Sequence, residues 1–379
     1  MITRQDLQFL LSYDSSGQAR VLTIYLNVDQ SRAVNLNRGF EAALKSRLQG
    51  IERSLESGAE RRSFSENARV ATQLISEYQP DGKSVVLFLD TEKDLFWIRS
   101  FSLSMENEAR WSEKPYIRPL LEVRDEFKRI GVVLTDRARA RVFSVFLGVV
   151  EEHREAEAEA EVRKFDASGM DQMRSQMHFQ RKADEHAKWH LKRVAEIADK
   201  LAAVKRFDRL ILAGPHEVTA ELFNLLSERL KKAHVGMLAL SIDASEAELL
   251  EATNRLEEQV ERAAELALVD GLMTAAAKRH QAVLGFPETV EALNDGRIRQ
   301  IVYSGDCTAS GFRCSVCDIL FADELQACPV CRGEVRKVED LIEPVLGRVF
   351  KEGGSVEHVR DQAAQNLASK GGVGAFLRF

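Results

Sequence analysis

Residues 173–196 read MRSQMHFQRKADEHAKWHLKRVAE, and residues 207–222 read FDRLILAGPHEVTAEL. In the first stretch cations recur at three- and four-residue steps or their sums: Arg174, His178, Arg181 or Lys182, then Lys188 and Lys192. On a helix that spacing gathers them on one face. Such a face grips phosphate through counterion release and guanidinium hydrogen bonds. An ordinary solvated helix is the competing reading, because Asp184, Glu185 and Glu196 dilute the charge. Phe179 and Trp189 are expected to pack on the opposite face. Downstream, RLILAG (209–214) reads as a strand, residues 217–233 as a helix and VGMLALSID (235–243) as a second strand. A strand–helix–strand unit of this kind implies a partly parallel sheet.

The pattern extends in both directions. GVVLTD (131–136) and ARVFSVFLGVVEEH (140–153) alternate like a hairpin around the polar turn Asp136–Arg139. The run REAEAEAEVRK (154–164) is charged, low in complexity and expected to be solvated. A helix is expected from Glu246 to about Leu268. Nearer the start, a short amphipathic helix (Asp6 to Leu11) precedes a strand, VLTIYLNVD (21–29). Residues 37–78 read as a long helical stretch, with Phe40, Leu44, Leu48, Ile51 and Leu55 at helical spacing. PDGKSVVLFLD (80–90) reads as a turn and a buried strand, and 93–104 and 116–124 as further strands. DGKS (81–84) is not a phosphate loop, because the required upstream glycine is replaced by Glu77 and a strand follows. Beyond Asp270, PETVEALNDGRI (287–298) is a helix, RQIVYSGD (299–306) a strand, and GAFLRF (374–379) the last strand. The expected class is α/β, in three α/β domains: 1–128, 129–268 and 269–379.

Bulk properties narrow the classes. At 379 residues the chain is long enough for two or three domains. Apolar residues at 45% and charged residues at 30% suit a folded protein. A net charge of −6 excludes a polycation, so any nucleic-acid contact must come from a local basic surface. The longest apolar run, VFSVFLGVV (142–150), is far shorter than a membrane helix requires. The opening MITRQDLQFLLSYD lacks the features of a signal peptide, so a cytoplasmic location is expected.

Four of the five cysteines form CSVC (314–317) and CPVC (328–331). Each C-x2-C turns two thiolates inward, and two such knuckles make a closed tetrahedral S4 shell suited to structural zinc. Disulfides are the main alternative and an iron–sulfur or redox role a further one. Cys307, just upstream, is surplus to the four ligands Cys314, Cys317, Cys328 and Cys331. His186 and His190 share helical spacing in EHAKWH, but Ala187 stands where a metalloprotease helix has its glutamate.

Taken in order, these segments resemble a known superfamily. Residues 173–196 and 207–222 resemble the central domain of archaeal and eukaryotic class-one peptide-chain release factors and Pelota. DGRIRQIVYSGD (295–306), with the paired cysteines after it, resembles their C-terminal domain, which carries a similar zinc insertion in archaeal members (here about 307–336). KGGVGAFLRF (370–379) resembles their glycine-rich ending. VLTIYLNVD is typical of the bacterial relatives, the Balon-type ribosome hibernation factors among them. The resemblance implies three α/β domains in a tRNA-shaped arrangement, with the ribosome as partner.

In that superfamily a Gly-Gly-Gln tip hydrolyses peptidyl-tRNA, its glycines allowing backbone conformations closed to other residues. Here residues 169–177 read GMDQMRSQM. Gapless alignment places Gln172 and Met173 at the two glycines and Arg174 at the glutamine. Bacterial cousins often read Gly-Gly-x-Ser-Gln; Ser175 and Gln176 survive and the glycine pair does not. Gln172 and Gln176 are the weak catalytic candidates, and losing one placed donor costs roughly 100- to 1000-fold in rate. Met170, Met173 and Met177 make an apolar tip. No Asn-Ile-Lys-Ser occurs in the first domain, so stop-codon reading is not expected. The resemblance therefore implies a non-catalytic A-site binder that hibernates or protects ribosomes, contacting rRNA through Arg174, Ser175, Gln176, His178, Arg181, Lys182, Lys188 and Lys192. Elongation factor Tu or another translational GTPase is a plausible partner. A rescue factor that hydrolyses peptidyl-tRNA is the enzyme alternative, and a zinc-stabilised adaptor that never meets the ribosome is a third.

Overall fold

The computed structural model describes residues 4–13, 20–56, 58–124, 128–146, 149–153, 174–305 and 307–379. The tip at 169–173 with Gln172, and the charged run 154–164, lie outside the described residues. So do the side chains of Arg174, Ser175, Gln176, His178, Phe179, Arg181 and Lys182. The chain is mixed α/β with several sheets, as expected. By compactness it divides into two units, one made of 1–125 with 264–379 and the other of 126–263.

In the first unit, β1 (Val21–Asn27), β2 (Ser84–Asp90), β3 (Leu95–Phe101) and β4 (Glu108–Ser112) form an antiparallel sheet in the order β3-β2-β1-β4. Every residue of β1 and β2 is buried, so both faces of the central strands are covered. One face packs Leu22, Ile24, Leu26, Val85, Leu87 and Leu89 against the helices Gly39–Ser54 and Gly58–Glu77, through Phe40, Leu44, Phe64 and Ile75. The other carries Tyr25, edge-on to Phe88 and Tyr116, with its hydroxyl donating to the Tyr116 carbonyl at 2.6 Å. Two expectations change here. The helical stretch 37–78 is two helices, interrupted where Leu55 turns extended ahead of Ser57-Gly58. Residues 118–124, expected as strand, are the helix Arg118–Arg124, whose first turn accommodates Pro119 and which buries Leu120 and Leu121.

The same unit holds a second sheet. Its strands are β10 (Ala282–Leu284), β11 (Ile298–Ser304), β15 (Ser355–Val359) and β16 (Val373–Leu377), in the order β10-β16-β11-β15. Only β11 and β15 run parallel. The helix Ile342–Lys351 lays Val345, Leu346, Val349 and Phe350 into the core. A separate cluster joins Val302, Val359, Ala363 and Leu367 to Val269 and Leu272. The glycine-rich ending has a steric reason. Gly371 and Gly372 both have positive φ, 94° and 73°, and a Cβ on Gly372 would stand 3.0 Å from Cys307 Sγ.

Arg118 ties the two halves of this unit together. It is 8% exposed, donates to the Gly305 carbonyl, and lies 5.1 Å above the Tyr303 ring, which stacks on His358. Glu343, on the helix Ile342–Lys351, shares the region with Arg110 at 3.9 Å.

The second unit is a five-stranded sheet of β5 (Ile130–Thr135), β6 (Ala140–Phe146), β7 (Val149–Glu152), β8 (Arg209–Ala213) and β9 (His234–Leu238). The order is β7-β6-β5-β8-β9, with the expected hairpin at β5–β6 and parallel pairing of β5, β8 and β9. The helices Arg174–Lys205, His216–Leu225 and Glu228–Ala233 cover one face through Leu191, Val194, Ala198, Leu222 and Leu230. The first half of the helix Glu246–Ala277 covers the other through Leu249 and Leu256. No helix among the described residues is long and apolar enough to cross a membrane.

Burial pushes the Glu343 carboxyl up to about 8, Asp340 adding to the rise while Arg110, the Ile117 N–H and Arg118 oppose it. A quarter of the side chain still reaches solvent, but burial governs the carboxyl end. A carboxyl that holds its proton more tightly when folded stabilises fully below its unfolded value, near 4.5, and that stability is lost as pH rises through about 8. Glu343→Gln should therefore gain in melting temperature over the wild type as pH climbs from 5 to 8.5. A constant difference across that range refutes the assignment.

Candidate functional sites: a four-cysteine centre and a cationic helix face

The cysteine centre grows from a three-stranded antiparallel sheet of β12 (Gly311–Cys314), β13 (Leu320–Phe321) and β14 (Val335–Val338), in the order β13-β12-β14. The two knuckles repeat one backbone design. In the first, the Cys314 N–H bonds the Ile319 carbonyl, the Asp318 N–H returns to the Cys314 carbonyl, and Asp318 is left-handed at φ 62°. In the second, the Cys328 N–H bonds the Gly333 carbonyl, the Arg332 N–H returns to Cys328, and Arg332 is left-handed at φ 60°. Ser315 N–H to the Glu334 carbonyl, 2.9 Å, staples one knuckle to the other. Asn294 anchors the assembly, its amide donating to the Leu320 carbonyl at 2.6 Å.

All four Sγ atoms lie within 4.8 Å of one another, and among the described residues this is the cluster of His, Cys, Asp and Glu side chains whose ligand atoms converge. Cys314 and Cys331 approach to 3.3 Å, Cys317 and Cys331 to 3.4 Å, and Cys317 and Cys328 to 3.5 Å. Those separations exceed a disulfide bond and approach the roughly 3.8 Å between sulfurs of a tetrahedral shell with ~2.3 Å metal–sulfur bonds. Backbone N–H groups of Val316 and Gly333 point at Cys314 and Cys331 Sγ, both at 3.4 Å, as donors that support thiolate charge. Hydrogen bonding from the Cys317 N–H leads the fall of the Cys314 thiol to about 6. At Cys317 the Ile319 N–H pulls downward, but burial and the neighbouring thiols outweigh it and push the group up to about 12. Thiols sharing one site cannot all ionise alone; a dication resolves that conflict. The residues therefore fit a metal ion held by four thiolates, with no position left open for chemistry. Cys307 stands apart, half-buried, its thiol raised by burial and 3.8 Å from the Gly371 carbonyl.

The candidate cationic face lies on the helix Arg174–Lys205, whose side chains are described from Glu185 onward. Its inner side buries Ala187, His190, Leu191 and Val194, with His190 Nε2 3.5 Å from Thr135 Oγ1. Lys188 and Lys192 are exposed, as the spacing implied, and no ion pair or hydrogen bond engages them among the described residues. Arg193 pairs with Glu196 at 4.0 Å. Trp189 corrects an expectation: it does not pack on the opposite side but is 55% exposed beside the two lysines. His186 is exposed and His190 fully buried.

Comparison with known proteins bears on this second unit. Residues 115–258 match the model of bacterial archaeo-eukaryotic release factor family 10. Over that span the chain is similar to that family. The match contains the cationic helix and every strand of its sheet. Among solved structures the chain is similar to the archaeal translation termination factor aRF1, at 16% identity and TM-score 0.26, covering 100% of this chain and 99% of that one. It is similar to S. cerevisiae Dom34 at 10% identity and TM-score 0.41, covering 78% and 86%. It is also similar to a ribosome-bound archaeal Pelota at 15% identity and TM-score 0.39, covering 100% and 94%. With scores below 0.5 these likenesses carry no argument, and the likeness to the family is confined to residues 115–258. No curated protein matches the sequence.

Replacing Cys314 or Cys328, each 1% exposed, with serine should remove the bound divalent ion. Elemental analysis should then find about one metal ion per wild-type chain and far less in either variant. Hydrogen exchange should rise across 311–338 in both. A metal-free wild type with full protection there would refute the centre.

Proposed function

We propose that this chain is a ribosome-associated factor that enters the A site without releasing the nascent peptide, and so protects or hibernates ribosomes. The observation that carries this reading is the family match over 115–258, taken with a tip that reads GMDQMRSQM instead of presenting paired glycines. A Cβ at Gln172 and at Met173 closes the backbone conformations that ester hydrolysis in this superfamily relies on. The cationic helix gives the factor its grip on rRNA: Lys188 and Lys192 continue the spacing set by Arg174, His178, Arg181 and Lys182, with Ser175 and Gln176 nearest the tip. The metal at Cys314, Cys317, Cys328 and Cys331 is zinc, and its role is structural, because soft thiolate ligands in a closed shell select it. The domain boundaries 1–128, 129–268 and 269–379, a tRNA-shaped arrangement of them, a cytoplasmic setting and delivery by elongation factor Tu or another translational GTPase belong to the same proposal.

One observation favours a second reading. Ser175-Gln176 keeps the end of the Gly-Gly-x-Ser-Gln form found in bacterial relatives, which suits a rescue factor that hydrolyses peptidyl-tRNA.

Stalled ribosomes carrying labelled peptidyl-tRNA separate the two. The wild type should co-sediment with them and release no peptide, and Arg181→Glu with Lys182→Glu should weaken that association and flatten its salt dependence. Peptide release that disappears in Gln172→Ala or Gln176→Ala would establish the rescue reading instead. Failure of the wild type to co-sediment at moderate salt would leave only a zinc-stabilised adaptor.

A further inference from the structure

Trp189 is the most exposed tryptophan of the chain, whereas Trp97 is 6% exposed and Trp111 half-buried. An indole in water forfeits much of the stabilisation that its burial would give. This one sits on a helix with a full apolar side, yet the positions turned inward go to Ala187, His190, Leu191 and Val194. Its surroundings are polar: Glu185, His186, Lys188 and Lys192 are exposed and Arg193 half-buried. Among large apolar side chains of the described part of this helix, only Val204 is also strongly exposed, about four turns further on. A protein-docking hot spot places its aromatic anchor in an apolar surround, and none is present among the described residues. An exposed indole with exposed ammonium groups one residue before it and one turn after it on the same helix is instead what suits single-stranded nucleic acid: the ring takes a base and the cations take nearby phosphates. Lys188 immediately precedes Trp189 and Lys192 lies one turn after it, both without an ion-pair partner among the described residues. Glu185, one turn before the indole, is the acidic neighbour that bounds the site on that side.

We infer that Trp189 is a stacking platform for an unpaired RNA base, with Lys188 and Lys192 holding the flanking phosphates. The choice of RNA rests on the ribosome reading; the exposed indole beside two lysines unpaired among the described residues does not. The contact is sequence-tolerant, because every base offers a π-face. It requires an unpaired base, so duplex RNA engages the lysines but not the ring.

The test titrates a ten-nucleotide oligouridylate, and a duplex of equal length, into the full chain at low salt while following tryptophan fluorescence. Trp189 is the most exposed of the three tryptophans, with Trp97 buried and Trp111 half-buried, and the Trp189→Ala variant isolates its share of the signal. The single strand should quench the emission and the duplex should not. Trp189→Ala should weaken single-strand binding about ten-fold or more, and Trp189→Phe should restore part of it. Lys188→Glu with Lys192→Glu should lower the slope of log affinity against log salt by roughly 1.4. Single-strand affinity unchanged within two-fold in Trp189→Ala, or equal quenching by the duplex, overturns the inference. So does a Trp189→Ala variant that loses ribosome association while binding the oligonucleotide normally, which would make the partner a protein. Quenching and Trp189 dependence on the oligonucleotide, in a wild type that fails to sediment with ribosomes, would sink the ribosome reading and leave the stacking site standing.

Discussion

A buried guanidinium is the constraint on which the larger unit depends. Arg118 is almost out of water, and a charge in that position costs several kcal/mol unless its donors are matched. The match comes from far along the chain: the Gly305 carbonyl at the end of β11, and the face of Tyr303 two residues earlier. The segment that leaves the first sheet is thereby fixed to the central strand of the second. Tyr116, two residues before Arg118, closes on the first sheet by accepting the Tyr25 hydroxyl proton at its carbonyl, and Arg110 lies 3.7 Å over its ring. Residues 110–118 are thus held at both ends, which explains how segments separated by more than a hundred residues pack as one unit.

The cysteine sheet solves a different problem. Between Gly311 and Val338 the main buried apolar residue is Leu320, too little to order three short strands by burial alone. Sulfur takes the place of a core. Cys314 and Cys328 are as buried as any leucine, and each sits where two backbone hydrogen bonds close its knuckle. The left-handed residues Asp318 and Arg332 show what this closure requires of the backbone. Asn294 then transmits the fixed geometry to the helix Phe286–Asn294: its Nδ2 donates to the Leu320 carbonyl while its Oδ1 accepts from Arg348 at 3.2 Å.

Local chemistry made much of this legible in the sequence. Two C-x2-C pairs constrain four sulfurs through short turns, so spacing alone predicts their convergence. The apolar run at Ile130–Thr135 and the strand–helix–strand unit after Arg209 were readable because a fully buried strand announces itself as a continuous apolar run. The errors came where local pattern and tertiary context differ. Helical spacing continues from Leu48 through Leu55, so the break before Gly58 is masked until Leu55 is seen to extend. IRPLLEV has the apolar content of a strand, but its proline suits a helix's first turn and its leucines fill a core that distant residues create. The edge strand Ser355–Val359 passed unnoticed because SVEHV is charged and half-buried, and only its pairing with β11 makes it a strand. The linkage of the two terminal segments through Arg118 leaves no local trace at all.

Trp189 shows most clearly why the candidate site was only partly readable. A periodic helix can be rotated about its axis, and hydrophobicity alone favours turning a tryptophan inward. The structure turns it outward because the inner side is specified by smaller groups that fit the sheet: Leu191, Val194, Ala195 and Ala198 lie against Val133, Val142 and Leu212. His190 completes that side against Thr135, whose hydroxyl lies 3.0 Å from the carbonyls of both Asp136 and Arg139 in the hairpin turn. Rotating the helix to bury Trp189 would expose this set and force an indole against β-strands packed for alanine and leucine, an overpacking that close-packed interiors resist. The orientation of Lys188, Trp189 and Lys192 toward solvent is therefore a consequence of core shape on the far side of the helix.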